Sequence, residues 1–101
     1  MNLWLDDLRE MPQGYDIHVK TAAEAIRLLG TGDVELISLD HDLGPPEAGT
    51  GYDVAKYILE GAYTGKLKRL EVRLHTANPV GRANMASALQ RAEHFWIESG
   101  Q

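Results

Sequence analysis

The sequence contains no cysteine. That excludes a disulfide framework and any thiolate metal site, so an ion could be held only by carboxylates, imidazoles or amides. Long apolar runs are missing too. The opening MNLWLDDLRE places acids where a secretory leader needs a basic segment ahead of an apolar one, and no stretch approaches membrane-spanning length. A cytoplasmic location without a membrane partner is the expectation. Positive charge is scarce: Lys and Arg number 10 against 15 Asp and Glu, giving a net charge of -5 and a pI near 5.2. This balance argues against an extended nucleic-acid surface but leaves room for a small anion at a local basic spot.

What is present suits one compact domain over residues 1–101, with 44% apolar and 25% charged residues. Leu3-Trp4-Leu5 reads as a short strand ending abruptly in Asp6-Asp7. Leu8 to Tyr15, with Pro12 and Gly14, reads as loop. Asp16 to Lys20 alternates as a half-exposed strand. Thr21 and Glu24 then form a capping-box pattern opening a helix to Gly30, with Ala22, Ala25, Ile26 and Leu29 inward. Glu35 to Asp40 is nearly continuous in apolar residues, as a strand covered on both faces should be, and ends in Asp40-His41-Asp42. Leu43 to Gly51 is loop, and its Gly49-Thr50-Gly51 is too short for a phosphate-binding loop. Tyr52 to Tyr63 is an amphipathic helix, and Leu70, Val72 and Leu74 alternate with Glu71, Arg73 and His75 as in an edge strand. Asn78-Pro79 marks the start of a last helix reaching about Glu98.

This order predicts an α/β fold: an open, mainly parallel sheet of about four strands with helices on both faces. The second strand decides where the carboxylates go. If it ran antiparallel to the first, Asp40 would lie at the opposite end from Asp6. A parallel strand needs an extended crossover in place of a helix. The eight residues Leu8 to Tyr15 span at most about 26 Å, against about 17 Å for a five-residue strand, so such a crossover is feasible but tight.

Ligands of open parallel sheets bind outside the carboxyl ends of the strands, where Asp6, Asp7, Asp40, His41, Asp42 and His75 would all fall. An Asp-Asp pair alone is more often a turn or a cap. Two acidic strand ends and a histidine at a third favour a site, and such carboxylates repel one another unless a cation sits among them. Mg²⁺ or Mn²⁺ suits the oxygens, and Zn²⁺ becomes conceivable with imidazoles near. Arg82 and Asn84 fall in the first turns of the last helix, where an anion could be clamped beside His75 and Thr76, although a solvated Arg and an ordinary helix-start Asn explain them equally well. Arg9 could reach the same pocket from its loop. His18, His94, Trp4, Trp96 and Tyr52 read as structural or exposed positions.

The segments LWLDDLREMP, ISLDHDLG, GYDVAKYI and LHTANPVGRANM, in this order, resemble the cyclic-phosphate processing receiver-like proteins, a divergent branch of the receiver superfamily. The resemblance covers nearly the whole chain. It implies a flavodoxin-like sheet and processing of a cyclic phosphate, on a nucleotide or an RNA end. Asp6 and Asp7 match the acidic pair that holds Mg²⁺ in receivers, Asp40 matches the phosphoacceptor carboxylate, and Thr76 stands near the hydroxyl that contacts the phosphoryl group. The helix between the first two strands and a fifth strand ending in Lys have no counterpart in this reading, which argues against ordinary phosphorelay signalling.

The expected activity is therefore a metal-assisted phosphoesterase. Asp6, Asp7, Asp40 and Asp42 would hold the ion, His41 and His75 with Asp40 would do the chemistry, and Arg9, Thr76, Asn78, Arg82 and Asn84 would contact substrate. A non-enzymatic phosphate- or nucleotide-binding module, and a degenerate receiver phosphorylated on Asp40, are the alternatives. Oligomeric state is left open.

Overall fold

A computed structural model describes Met1–Gln101. Four strands and three helices follow one another in the order β1 (Asn2–Leu5), β2 (Ile17–Val19), α1 (Ala22–Leu29), β3 (Leu36–Leu39), α2 (Gly51–Thr64), β4 (Glu71–Leu74) and α3 (Pro79–Glu98). A short 3₁₀ turn at Pro46–Ala48 lies in the loop before α2. The sheet order is β2-β1-β3-β4 and every pairing is parallel. This is the open parallel sheet of the flavodoxin and receiver type that the sequence predicts, including the parallel second strand. No helix is long and apolar enough to cross a membrane.

The tight crossover is held by its own polar groups. Asn2 donates from its backbone to the Asp16 carboxylate at 2.7 Å and from its side chain to the Gly14 carbonyl at 2.9 Å, while the Asp16 N–H returns to the Asn2 carbonyl at 2.8 Å. These bonds dock the end of the loop at the start of β1, so β2 begins level with it.

One arrangement differs from the sequence expectation. Leu3, Leu5, Val19, Ile37 and Leu39 share a single core with residues of all three helices, and α2 packs against both α1 and α3. The alternate strand positions Trp4 and Leu36 are buried but stand outside that core. All three helices thus lie on one face, and residues 6–16 cover part of the other. Right-handed connection explains this: the steps β2 to β3 and β3 to β4 run one way across the sheet, whereas β1 to β2 runs back and must pass over the opposite face.

Local signals set the helix ends. Thr21 caps α1 by accepting the Glu24 N–H at 3.2 Å, but the Glu24 carboxylate takes the Thr21 hydroxyl instead of closing a full capping box. The reciprocal box is at α2, between Thr50 and Asp53. Asn78 caps α3 through the Gly81 N–H at 2.9 Å, with Pro79 at the first helical position. Gly51 is required by space: a Cβ there would lie 1.9 Å from the Asp40 carbonyl oxygen and 2.9 Å from the Met85 sulfur.

Candidate active site

Asp6, Asp40 and His75 each stand one residue beyond the last rung of their strands. The ladder continues through their backbones: Asp6 N–H to the Val19 carbonyl at 3.1 Å, Asp40 N–H to Leu5 and His75 N–H to Leu39, both at 3.0 Å. Register alone therefore brings three side chains from distant parts of the chain to one edge of the sheet. One potential ligand atom from each lies within 4.8 Å of the others.

Asp6 is almost fully buried and its oxygens are heavily used. Oδ1 accepts the N–H groups of Leu8 at 2.8 Å and Arg9 at 2.9 Å, and Oδ2 lies 3.0 Å from His75 Nε2. Burial pushes this carboxyl up, but the two backbone donors and the imidazole outweigh it and hold the pKa below the usual carboxylate value. His75 is gripped on every side. Its Nδ1 is 2.7 Å from the Ser38 hydroxyl, its ring stacks on the Trp4 indole with centroids 3.8 Å apart and planes within 7°, and its carbonyl accepts the Arg9 guanidinium at 2.6 Å. Burial lowers the His75 pKa, more strongly than Asp6 and Asp40 raise it.

A second group sits on the far side of Asp40. Asp40 Oδ1 accepts the His41 N–H at 2.8 Å, and His41 Nδ1 meets Asp42 Oδ1 at 3.0 Å. Asn78 reaches Asp42 Oδ2 at 3.3 Å with the same side chain that caps α3. Asp42 is accordingly held below the usual carboxylate pKa by hydrogen bonds from His41 first and Asn78 second. The His41 ring lies so close over the start of α3 that a Cβ on Gly81 would come within 2.4 Å of it.

Between these groups opens a cleft of about 410 Å³ lined by Asp6, Asp7, Arg9, Asp40, Thr76 and Asn78 among others. Asp7 makes no hydrogen bond within the chain, and Thr76 Oγ1 accepts the Asn78 N–H at 3.1 Å. A larger groove of about 850 Å³ lies at the opposite end of the sheet, between Leu29–Glu35 and Lys66–Val72, and gathers no comparable set of ligand atoms. The amino-terminal candidates Asp6, Asp7 and Arg9 and the later Asp40, Asp42, Thr76 and Asn78 therefore share one cleft. His41 and His75 flank it through Asp42 and Asp6 without lining it, and Arg82 and Asn84 do not line it either. Arg82 turns its guanidinium to the Leu74 carbonyl at 3.4 Å, and Asn84 is exposed on α3.

Two residues of this site stand outside the sequence reading of its chemistry. Trp4 reads as packing, which it is, but its packing partner is the His75 ring. Ser38 carried a usable signal: a hydroxyl in the middle of a strand covered on both faces needs a partner.

A family model for the cyclic-phosphate processing receiver domain matches residues 1–91. The chain belongs to that family. Its name ties this receiver-like domain to cyclic-phosphate processing, and the matched span contains every residue of the cleft. No curated protein and no solved structure gives a significant match.

Proposed function

We propose that this receiver-like domain is a metal-assisted phosphoesterase that opens cyclic phosphates. The observation that carries the reading is the convergence of Asp6, Asp40 and His75 within 4.8 Å at the edge of the cleft. Asp6, Asp7, Asp40 and Asp42 surround a space that a phosphodiester anion must enter against their charge, with Arg9 as the one cation on its wall. A bound cation relieves that repulsion, and the hard oxygen donors fit Mg²⁺ or Mn²⁺. Asp6 and Asp40 would hold it, with Asp7 beside them. The chemistry such an ion supplies is polarisation of a phosphoryl oxygen and acidification of water.

The remaining roles fall to the chain's own groups. His41 is the residue suited to proton transfer. Its Nδ1 is oriented by Asp42, so Nε2 is the nitrogen left to exchange a proton with the attacking water or with the ring oxygen that departs as the P–O bond breaks. His75 has both ring nitrogens engaged by Asp6 and Ser38, which suits holding Asp6 better than exchanging protons with substrate. Thr76, Asn78 and Arg9, which line the same cleft, would supply donors to the phosphoryl oxygens.

The test is product analysis with nucleoside 2′,3′-cyclic phosphates in Mg²⁺, Mn²⁺, Zn²⁺ and chelator. Ring opening should require the metal, vanish in Asp40→Asn and fall steeply in His41→Ala. Turnover that survives thorough chelation would overturn the mechanism. Binding without product would move the reading to a phosphate-binding module.

A further inference from the structure

We infer that Ser38 is a positioning residue for the cation site: its hydroxyl bonds Nδ1 and holds the His75 ring in place, and His75 in turn fixes the Asp6 carboxylate. The inference rests on the proposed role of Asp6 as a cation ligand. An ionised carboxylate can only accept, so the 3.0 Å contact from His75 Nε2 to Asp6 Oδ2 requires a proton on Nε2. In a neutral imidazole Nδ1 is then a bare acceptor, and the group facing it at 2.7 Å is the Ser38 hydroxyl, which must donate. Ser38 is 2% exposed, so water does not compete for that bond. The Trp4 indole fixes the plane of the ring, so the ring cannot tilt toward another partner.

Asp6 shows why this matters. Oδ1 already accepts two backbone N–H groups, so an ion must use what Oδ2 has left beside the Nε2 bond. A ring in the other tautomer would point a lone pair at that oxygen and drive the carboxylate away. Ser38 therefore acts through two hydrogen bonds on the carboxylate that would hold the ion, in the way outer hydrogen bonds orient metal ligands elsewhere.

The measurement is long-range ¹H–¹⁵N correlation of the His75 ring, at a pH well above the imidazole range, beside Mg²⁺ and Mn²⁺ affinity by calorimetry. Wild-type protein should show the Nε2–H tautomer. Ser38→Ala should keep the Nε2–H that Asp6 selects, shift the resonance of the now unpartnered Nδ1 and bind the cation about 10-fold more weakly, and Ser38→Thr should restore both. An Nδ1–H tautomer in the wild type overturns the inference without any variant, as does a Ser38→Ala protein with unchanged Nδ1 resonance and affinity. An Nε2–H wild type whose Nδ1 resonance and cation affinity depend on Ser38, but which opens no cyclic phosphate, would remove the function proposed above and leave the Ser38 assignment standing.

Discussion

Replacing Gly81 by alanine tests whether the position of His41 matters for function separately from the stability of the fold. A Cβ at Gly81 would lie 2.4 Å from His41 Cγ, 2.5 Å from Cδ2 and 2.9 Å from Nδ1. Comfortable carbon contacts begin near 3.5 Å, so the ring must move by roughly 1 Å. That motion breaks the 3.0 Å bond to Asp42, a loss of about 1 kcal/mol. Against it stands the helix propensity of alanine over glycine, about 1 kcal/mol at most in the first turn of α3. The two nearly cancel, and the melting temperature should stay within about 6 °C of wild type. Activity should not survive so well: misplacing a proton-transfer group by 1 Å costs about 100-fold in kcat/KM. The assay pairs cyclic-nucleotide turnover with thermal unfolding and the His41 ring resonances. A variant with shifted His41 resonances and wild-type turnover would refute His41 as the proton-transfer group. Unshifted resonances would refute the packing.

Gly51→Ala should behave in the opposite way, because its Cβ meets the Asp40 backbone at 1.9 Å and no side chain can simply swing aside; a destabilisation of about 3 kcal/mol in chemical denaturation is expected. Trp96 is fully buried and donates to the Leu67 carbonyl at 2.8 Å, so Trp96→Phe should cost about 2 kcal/mol by leaving that carbonyl unpaired, measurable in the same way. Stability should also fall on acidification in two stages. His75, held below its ordinary value of 6.5, resists the proton that the unfolded chain takes up, so stability drops as pH falls through that value and levels off below the folded one. Asp6, held below 3.8, contributes stability that is present above that value and lost as pH falls through its folded pKa. A His75→Gln variant should lose the upper stage and, without the imidazole that helps hold Asp6 down, shrink the lower one, and a profile flat through the imidazole range in the wild type would contradict the burial of His75.

Most of the strand ends were legible in the sequence because two short-range signals coincide there. Apolar runs too short for helices stop abruptly at charged residues, and the ladder then aligns Asp6, Asp40 and His75 without further instruction. Caps were equally plain where a side chain bonds its own helix, as at Asn78. The choice of face was harder, because alternation in β1 and β3 marks two faces without saying what covers each. Arg82 shows a different limit: helix periodicity places it near the cleft, but the nearest strong acceptor was the Leu74 carbonyl, which composition cannot reveal. The apolar average of β3 hides the one hydroxyl of Ser38, although a buried hydroxyl is the more informative residue.

The extended crossover connects these observations. A helix between β1 and β2 would have brought an apolar surface down on Trp4 and closed that face with hydrocarbon. A loop cannot do so, and it arrives instead with backbone amides: Leu8 and Arg9 donate to Asp6, and the Arg9 carbonyl takes the Trp4 indole N–H at 3.4 Å. Tyr15, from the same loop, meets the edge of the Trp4 ring at 5.2 Å. The face of the indole is thereby left to His75, which reaches it from β4 across β3 and finds Ser38 beneath it on that strand. The loop that makes the parallel second strand so tight a fit is thus what allows an imidazole to be locked against the acidic end of β1. Lengthening it enough to admit a helix should cost the contacts among Asp6, His75 and Trp4 before it costs the fold.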